Sequence, residues 1–223
     1  MAVQIEFLKS LPYFSQLDAE YIEDVKKLIF EKTAARGETI ALEDDPAEAL
    51  YFVVSGAVKV YKTSSEGKEQ ILYVVRPGES FNDVPIFDVQ SNPATAEAMG
   101  PVVLYGITRS NIETLLRDHP GIAMSVIKVL AERVRHLLSL VEDLSFRHVM
   151  GRVAKILLEY ASDESSQRPR LTQQEMAAMA GTAREVIGRS LRALGDDGVI
   201  RFDRHQIVIS DEDALREMVE STA

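Results

Sequence analysis

Arg184, Glu185 and Arg189 carry the most directional chemistry in the sequence. In TAREVIGRSLRALGDDG, positions 185, 188, 189 and 192 fall on one helical face and Ile187, Leu191 and Leu194 on the opposite one. An arginine can donate two hydrogen bonds to guanine O6 and N7, and a glutamate can accept one from the cytosine amino group. A helix N-terminus also favours a phosphate. Arg184 and Glu185, followed one turn on by Gly188 and Arg189, are the residues expected to meet base edges.

Such side chains read a groove only if a second element holds their helix outward. Thr172-Gln173-Gln174-Glu175 reads as a capping box opening a short helix with Met176, Ala177, Met179 and Ala180 on its apolar side. Gly181 ends that helix, because the turn needs a residue that tolerates positive φ. Thr182-Ala183-Arg184-Glu185 reads as a second capping box, and Gly195 to Gly198 stops the second helix. Two short helices joined through glycine form a helix-turn-helix, whose second helix enters the major groove at its N-terminal end. A hairpin, GVIRFDRHQIVIS, follows.

The net charge of −10 opposes phosphate binding by the chain as a whole, but it is unevenly spread. Residues 165–206 hold seven arginines against five acids, whereas 207–223 hold Arg216 against five acids. The absence of cysteine excludes disulfides, thiolate zinc sites and cysteine-held iron–sulfur clusters, and fits the cytoplasm. No apolar run approaches the ~18 residues of a membrane span, and MAVQIEFLKS lacks the pattern of a signal peptide.

Residues 6–30 read as short helices. From Glu38 the runs ETIAL, ALYFVVSG, AVKVYKTS, EQILYVVRPG and PVVLYGIT are rich in β-branched and aromatic residues and are separated by turns such as Ser55-Gly56 and Pro77-Gly78. Short strands at even spacing without intervening helices predict an antiparallel jelly-roll or barrel rather than a parallel α/β sheet. Ile127, Leu130, Val134, Leu137, Val141 and Leu144 then recur at spacings of 3 and 4, a seam suited to a partner helix from a second chain. A further amphipathic helix, MGRVAKILLEY, and a polar linker, ASDESSQRPR, lead to the helix-turn-helix. The expected architecture is α+β: a β-roll sensor domain over 1–115, a dimerisation helix over 116–146 and a winged helix-turn-helix over 147–223.

The whole chain resembles the superfamily of the cyclic-AMP receptor protein and the fumarate–nitrate regulator (CRP/FNR). TAREVIGRSLRAL is similar to the family's recognition helix, and GRVAKILLEYA to the helix that enters its DNA domain. The resemblance implies a transcriptional regulator, not an enzyme. It implies that Arg184, Glu185 and Arg189 read a pseudo-palindromic operator as a homodimer, with Thr172 and Gln173 near the phosphate backbone, Gly188 and Thr182 among the DNA-binding residues and 199–209 as the wing. RNA polymerase is the implied partner of an activating form.

The resemblance breaks at the sensor. Cyclic-nucleotide binders of the family typically carry Phe-Gly-Glu, then Arg-Ser/Thr-Ala. Here Phe81-Asn82-Asp83 and Asn92-Pro93-Ala94 stand in those places, and no Lys or Arg occurs from Gly78 to Thr108. Burying a phosphate without a cation costs several kcal/mol, so cyclic AMP is not expected as the effector. The Thr-Ser pair that contacts adenine in the family is replaced by Leu137-Leu138. These changes predict an apolar pocket lined by Phe81, Asn82, Asp83, Val84, Ile86, Phe87, Leu137 and Leu138. It would suit a small apolar ligand, a haem ligated by His119, His136 or His148, or no ligand at all. Two other classes fit less well: a cyclic-nucleotide-like module without DNA would not need the second helix, and a cupin enzyme needs a cluster of histidines and carboxylates on its strands, whereas His119, His136, His148 and His205 all fall outside the β region that ends near Thr108. No metal site is expected.

Overall fold

The computed structural model describes residues 3–161, 171–203 and 206–221. The expected linker over 162–170, with Arg168 and Arg170, and the wing residues Arg204 and His205 lie outside the described residues. The chain divides into two compact units: residues up to Lys62 with Tyr73–His136, and Thr63–Leu72 with the chain from Leu137 onward.

The first unit opens with helices α1 (Ile5–Ser10) and α2 (Ala19–Leu28). Strands β1 (Ile29–Ala34), β2 (Thr39–Ala41), β3 (Ala49–Ser55), β4 (Val58–Thr63), β5 (Glu69–Val75) and β6 (Ser80–Phe81) follow. Helix α3 (Asp83–Asp88), strands β7 (Thr95–Ala98) and β8 (Val102–Thr108), and helix α4 (Arg109–Asp118) lead into the long α5 (Gly121–Phe146). The strands form two antiparallel four-stranded sheets, ordered β1-β8-β3-β6 and β2-β7-β4-β5. The expected β-roll is present.

Period-two alternation explains the core. Leu50 and Phe52 on β3 sit beside Ile107 and Tyr105 on β8 and face the helical layer. That layer brings Leu8, Ile22, Val25, Ile112, Ile122 and Val126 into the same cluster, each removing ~1.5–3 kcal/mol worth of apolar surface from water. On the other face Tyr51 stacks on Phe81, with centroids 5.3 Å apart.

The helical reading of 6–30 runs too far. Ile29 and Phe30 begin β1, which pairs with β8 from Ile29↔Ile107 to Ala34↔Val102. Tertiary pairing overrides a local pattern that continued smoothly from α2. The short β6 and β7 were also not foreseen; both lie in the segment after Pro77-Gly78 where the pattern is weakest.

The second unit holds the hairpin end over 63–72, the C-terminal part of α5, and helices α6 (Val149–Ala161), α7 (Gln173–Ala180), α8 (Arg184–Asp196) and α9 (Glu212–Glu220). Strands β9 (Ile200–Asp203) and β10 (Gln206–Ile209) pair antiparallel, as the expected wing hairpin. Val153, Leu157, Met176, Ile187, Leu191 and Leu215 form its core. Among the described residues no helix is long and apolar enough to cross a membrane.

Gly56 makes the β3–β4 turn at φ 85°, and a Cβ there would lie 2.4 Å from the Pro101 carbonyl oxygen. A backbone atom cannot swing aside as a side chain can. Gly56→Ala is therefore expected to destabilise the protein by about 2–3 kcal/mol in urea unfolding.

Candidate nucleic-acid interface and sensor site

The first capping box forms as expected. Glu175 N–H donates to Thr172 Oγ1 at 3.1 Å, and Thr172 N–H donates to Glu175 Oε2 at 2.6 Å. Gly181 takes the left-handed conformation, φ 63°, and the next amide, Thr182 N–H, donates back to the Ala177 carbonyl at 3.0 Å. That use of Thr182 delays the second helix. Its N-cap is Ala183, without a side-chain cap, so the expected Thr182–Glu185 box does not form. Glu185 is left facing outward rather than folded back on the helix start.

Helix α8 buries Ile187, Ser190, Leu191 and Leu194 against the unit's core. Its opposite side exposes Arg184, Glu185, Arg189 and Arg192, with Gly188 half-buried between them. Thr172 and Gln173 are exposed at the start of α7, and Thr182 is half-buried. Gln173 reaches across to α8: a Cβ on Gly188 would lie 3.7 Å from Gln173 Oε1. One surface therefore combines the amide-rich start of α7 with the basic face of α8. On the wing, Arg201 pairs with Asp203 at 3.4 Å and Phe202 is exposed.

Helix α5 carries two apolar stripes. Ile122, Val126, Val129 and Leu130 face the core of the first unit. Met124, Ile127, Val134, Leu138 and Val141 face outward, with Val134 56%, Leu138 63% and Val141 60% exposed. Of the six seam positions read from the sequence, Ile127, Val134, Val141 and Leu144 are exposed, Leu137 is half-buried, and Leu130 packs inward. Leu138, expected at the pocket, lies on the outward stripe.

The inward stripe ends in a charge, Arg133, which sits beside a buried carboxylate among the residues expected to line the pocket. Asp83, 4% exposed, accepts hydrogen bonds from Ser80 Oγ at 2.7 Å and from the Tyr13 hydroxyl. Arg133 lies 3.7 Å from Asp83 Oδ2, donates to the Ser80 carbonyl at 2.7 Å, and stacks its guanidinium 3.9 Å from the Tyr73 ring centroid. Burial, then the neighbouring Asp83, pushes the Tyr13 hydroxyl well above its usual range, and burial pushes Tyr73 up to about 12. Both stay protonated, so Tyr13 remains a donor to the carboxylate.

The remaining cassette residues are occupied internally. Asn82 adopts φ 68° at the start of α3, a conformation open to Asn as to Gly, and its amide donates to the Ala49 carbonyl at 3.0 Å. Asn92 donates to the Leu42 carbonyl at 2.9 Å, while its Oδ1 is buried with no hydrogen-bond partner among the described residues. Phe81 and Ile86 are buried in the fold, Phe87 is half-buried and Val84 is exposed. The three histidines named as candidate ligands are dispersed: His119 packs 4.3 Å from the Tyr21 ring, His136 meets Tyr73 edge-on at 6.3 Å, and His148 is exposed. Among the described residues no group of three or more His, Cys, Asp or Glu could hold a metal.

Arg133 was missed because the cation was sought within the cassette. The usable signal was its place on the inward stripe of α5, where the pattern otherwise calls for an apolar residue. A second junction was missed in the same way. Asp143 near the end of α5 pairs with Arg147 at 2.9 Å and with Lys155 of α6.

Sheets, a long half-uncovered helix and an outward-facing α8 define a winged helix-turn-helix DNA-binding regulator with an N-terminal β sensor domain. The cyclic nucleotide-binding domain model matches residues 31–119 and the Crp-like helix-turn-helix domain model residues 151–218. The CRP-like cAMP-activated global transcriptional regulator of Mycobacterium tuberculosis is 30% identical over 217 residues, 94% of this chain and 97% of the relative. The cyclic AMP receptor protein of Thermus thermophilus is 29% identical over 95% of this chain and 98% of its own. Among solved structures, FixK2 from Bradyrhizobium japonicum superposes with TM-score 0.78 at 27% identity, covering 87% of this chain and 99% of its own. The chain belongs to the CRP/FNR family of transcriptional regulators.

Removing one partner of a buried ion pair leaves the other uncompensated. Arg133→Met is expected to cost about 3–5 kcal/mol in urea unfolding. The double variant Arg133→Met/Asp83→Asn is expected to be more stable than the single one, because the stranded charge is gone.

Proposed function

We propose that this regulator acts as a homodimer that binds a pseudo-palindromic operator through α8, and that its sensor does not respond to cyclic AMP. The observation that carries the DNA reading is the exposed face of Arg184, Glu185 and Arg189 at the N-terminal end of a helix whose other side is fully buried. Arg184 and Arg189 supply paired donors for guanine, Glu185 an acceptor for cytosine, and Gly188 leaves room for close approach. Thr172, Gln173 and Thr182 hold the phosphates beside them. Two such helices reach successive major grooves, ~34 Å apart, when two chains join along α5.

The dimer reading rests on the outward stripe of Met124, Ile127, Val134, Leu138 and Val141, whose spacings of 3, 7, 4 and 3 fit a seven-residue coiled-coil repeat. A contiguous apolar strip of this length on an isolated chain is costly to leave in water. Val134→Glu is expected to convert the dimer to a monomer at micromolar concentration in sedimentation velocity; an unchanged dimer contradicts the seam.

The relatives named as cAMP-activated share the fold, but this chain's cassette has spent its polar groups internally. The carboxylate is paired to Arg133, and both asparagines hold backbone carbonyls. A cyclic phosphate would arrive without a cation free to meet it. Acting on chromosomal DNA places the protein in the cytoplasm, with RNA polymerase as the partner of an activating form.

Selection of genomic fragments followed by fluorescence anisotropy tests the operator reading. Arg184→Ala is expected to lose about 1–3 kcal/mol of specific binding and to relax preference at one base pair. Affinity for the selected site left untouched by that substitution contradicts the assignment. In calorimetry, cyclic AMP is expected to give no binding at low micromolar concentration; saturation there contradicts the sensor reading.

A further inference from the structure

Helix α7 is eight residues long, too short to stand by itself, and its last carbonyls have no partner within the helix. The Ala177 carbonyl is taken by the Gly181 and Thr182 amides of the turn. Three carbonyls at the end of the helix and its turn, those of Met179, Ala180 and Gly181, are each capped by a side chain from a distant segment. Gln70 Nε2 donates to the Met179 carbonyl at 3.4 Å, Arg152 Nε to that of Ala180 at 2.7 Å, and Lys68 Nζ to that of Gly181 at 3.3 Å. Cations at Arg152 and Lys68 also suit the negative end of the helix dipole. The turn is closely packed as well: a Cβ on Gly181 would lie 2.7 Å from Leu144 Cδ2 and 2.9 Å from Gln70 Oε1.

Arg152 belongs to the DNA domain's own α6, but Lys68 and Gln70 do not belong to that domain in sequence. They lie at the tip of the β4–β5 hairpin, whose residues 63–72 form one compact unit with the chain from Leu137 onward. Both strands continue from that tip into the sensor domain. The hairpin leaves the reading face uncovered, since Arg184, Glu185 and Arg189 stay exposed with it in place.

We infer that Lys68 and Gln70 are positioning residues for operator recognition: the sensor's own hairpin caps the end of α7 and fixes the turn from which α8 is launched. The inference rests on α8 being the reading helix. Lys68 acts through the turn and does not contact DNA.

Full-length Lys68→Met/Gln70→Ala is compared with the unaltered protein on the selected operator and on a scrambled duplex of equal length. The expected result is a five- to twentyfold loss of operator affinity, little change on the scrambled duplex, and a melting temperature within about 2 °C. The slope of log affinity against log salt is expected to stay the same, whereas a lysine bound to phosphate would lower it by about one. Lys68→Arg, which keeps a donor, is expected to retain affinity, and Gln70→Glu, which replaces the donor with an acceptor, to lose it. Equal loss on both duplexes, a reduced salt slope, tighter operator binding or no change would each overturn the inference. Absence of operator binding by the unaltered protein would instead overturn the reading of α8 itself.

Discussion

A carboxylate held at 4% exposure must have a cation or several donors beside it, and Asp83 has both. Its cation, Arg133, comes from α5, fifty residues further along the sequence. The pair therefore fastens the long helix to the β core at the point where other members of the family are expected to hold a ligand. Tyr13, Ser80 and the face of Tyr73 complete the enclosure, so the site is filled by the protein's own polar groups.

Fastening the inward side of α5 decides what its outward side can do. With Ile122, Val126 and Leu130 committed to the core, Met124, Ile127, Val134, Leu138 and Val141 are left in water. The helix stops after Phe146 and restarts at Val149, and Asp143 ties both pieces together through Arg147 and Lys155. Arg152 extends the chain of contacts to the end of α7. Polar groups at helix ends join α5 to α6 and α6 to the end of α7, alongside the apolar core that α6, α7 and α8 share. Such junctions have discrete partners to exchange, which is the property a two-state regulator needs.

The periodic parts of this fold were legible in the sequence. The β3, β4, β5 and β8 runs, the Thr172 capping box and the αL turn at Gly181 follow from local side-chain chemistry, and the structure has each of them. The seam on α5 was legible as a period but not as a face: 3–4 spacing also fits the inward stripe, which is why Leu130 was grouped with the partner side. Arg133 and Asp83 were not legible as a pair, because nothing local relates positions fifty residues apart. The second capping box failed for a related reason. Thr182 has the right spacing to Glu185, but its backbone is already engaged by the end of α7, and only the folded turn reveals that competition.

Hydroxyl-radical footprinting of the full-length protein on a selected operator probes the assembly and the reading helix together. Two protected stretches about 10–10.5 base pairs apart, centred on successive major grooves and reached at two chains per site, are the expected result. A single protected stretch or saturation at one chain per duplex would contradict recognition by paired α8 helices.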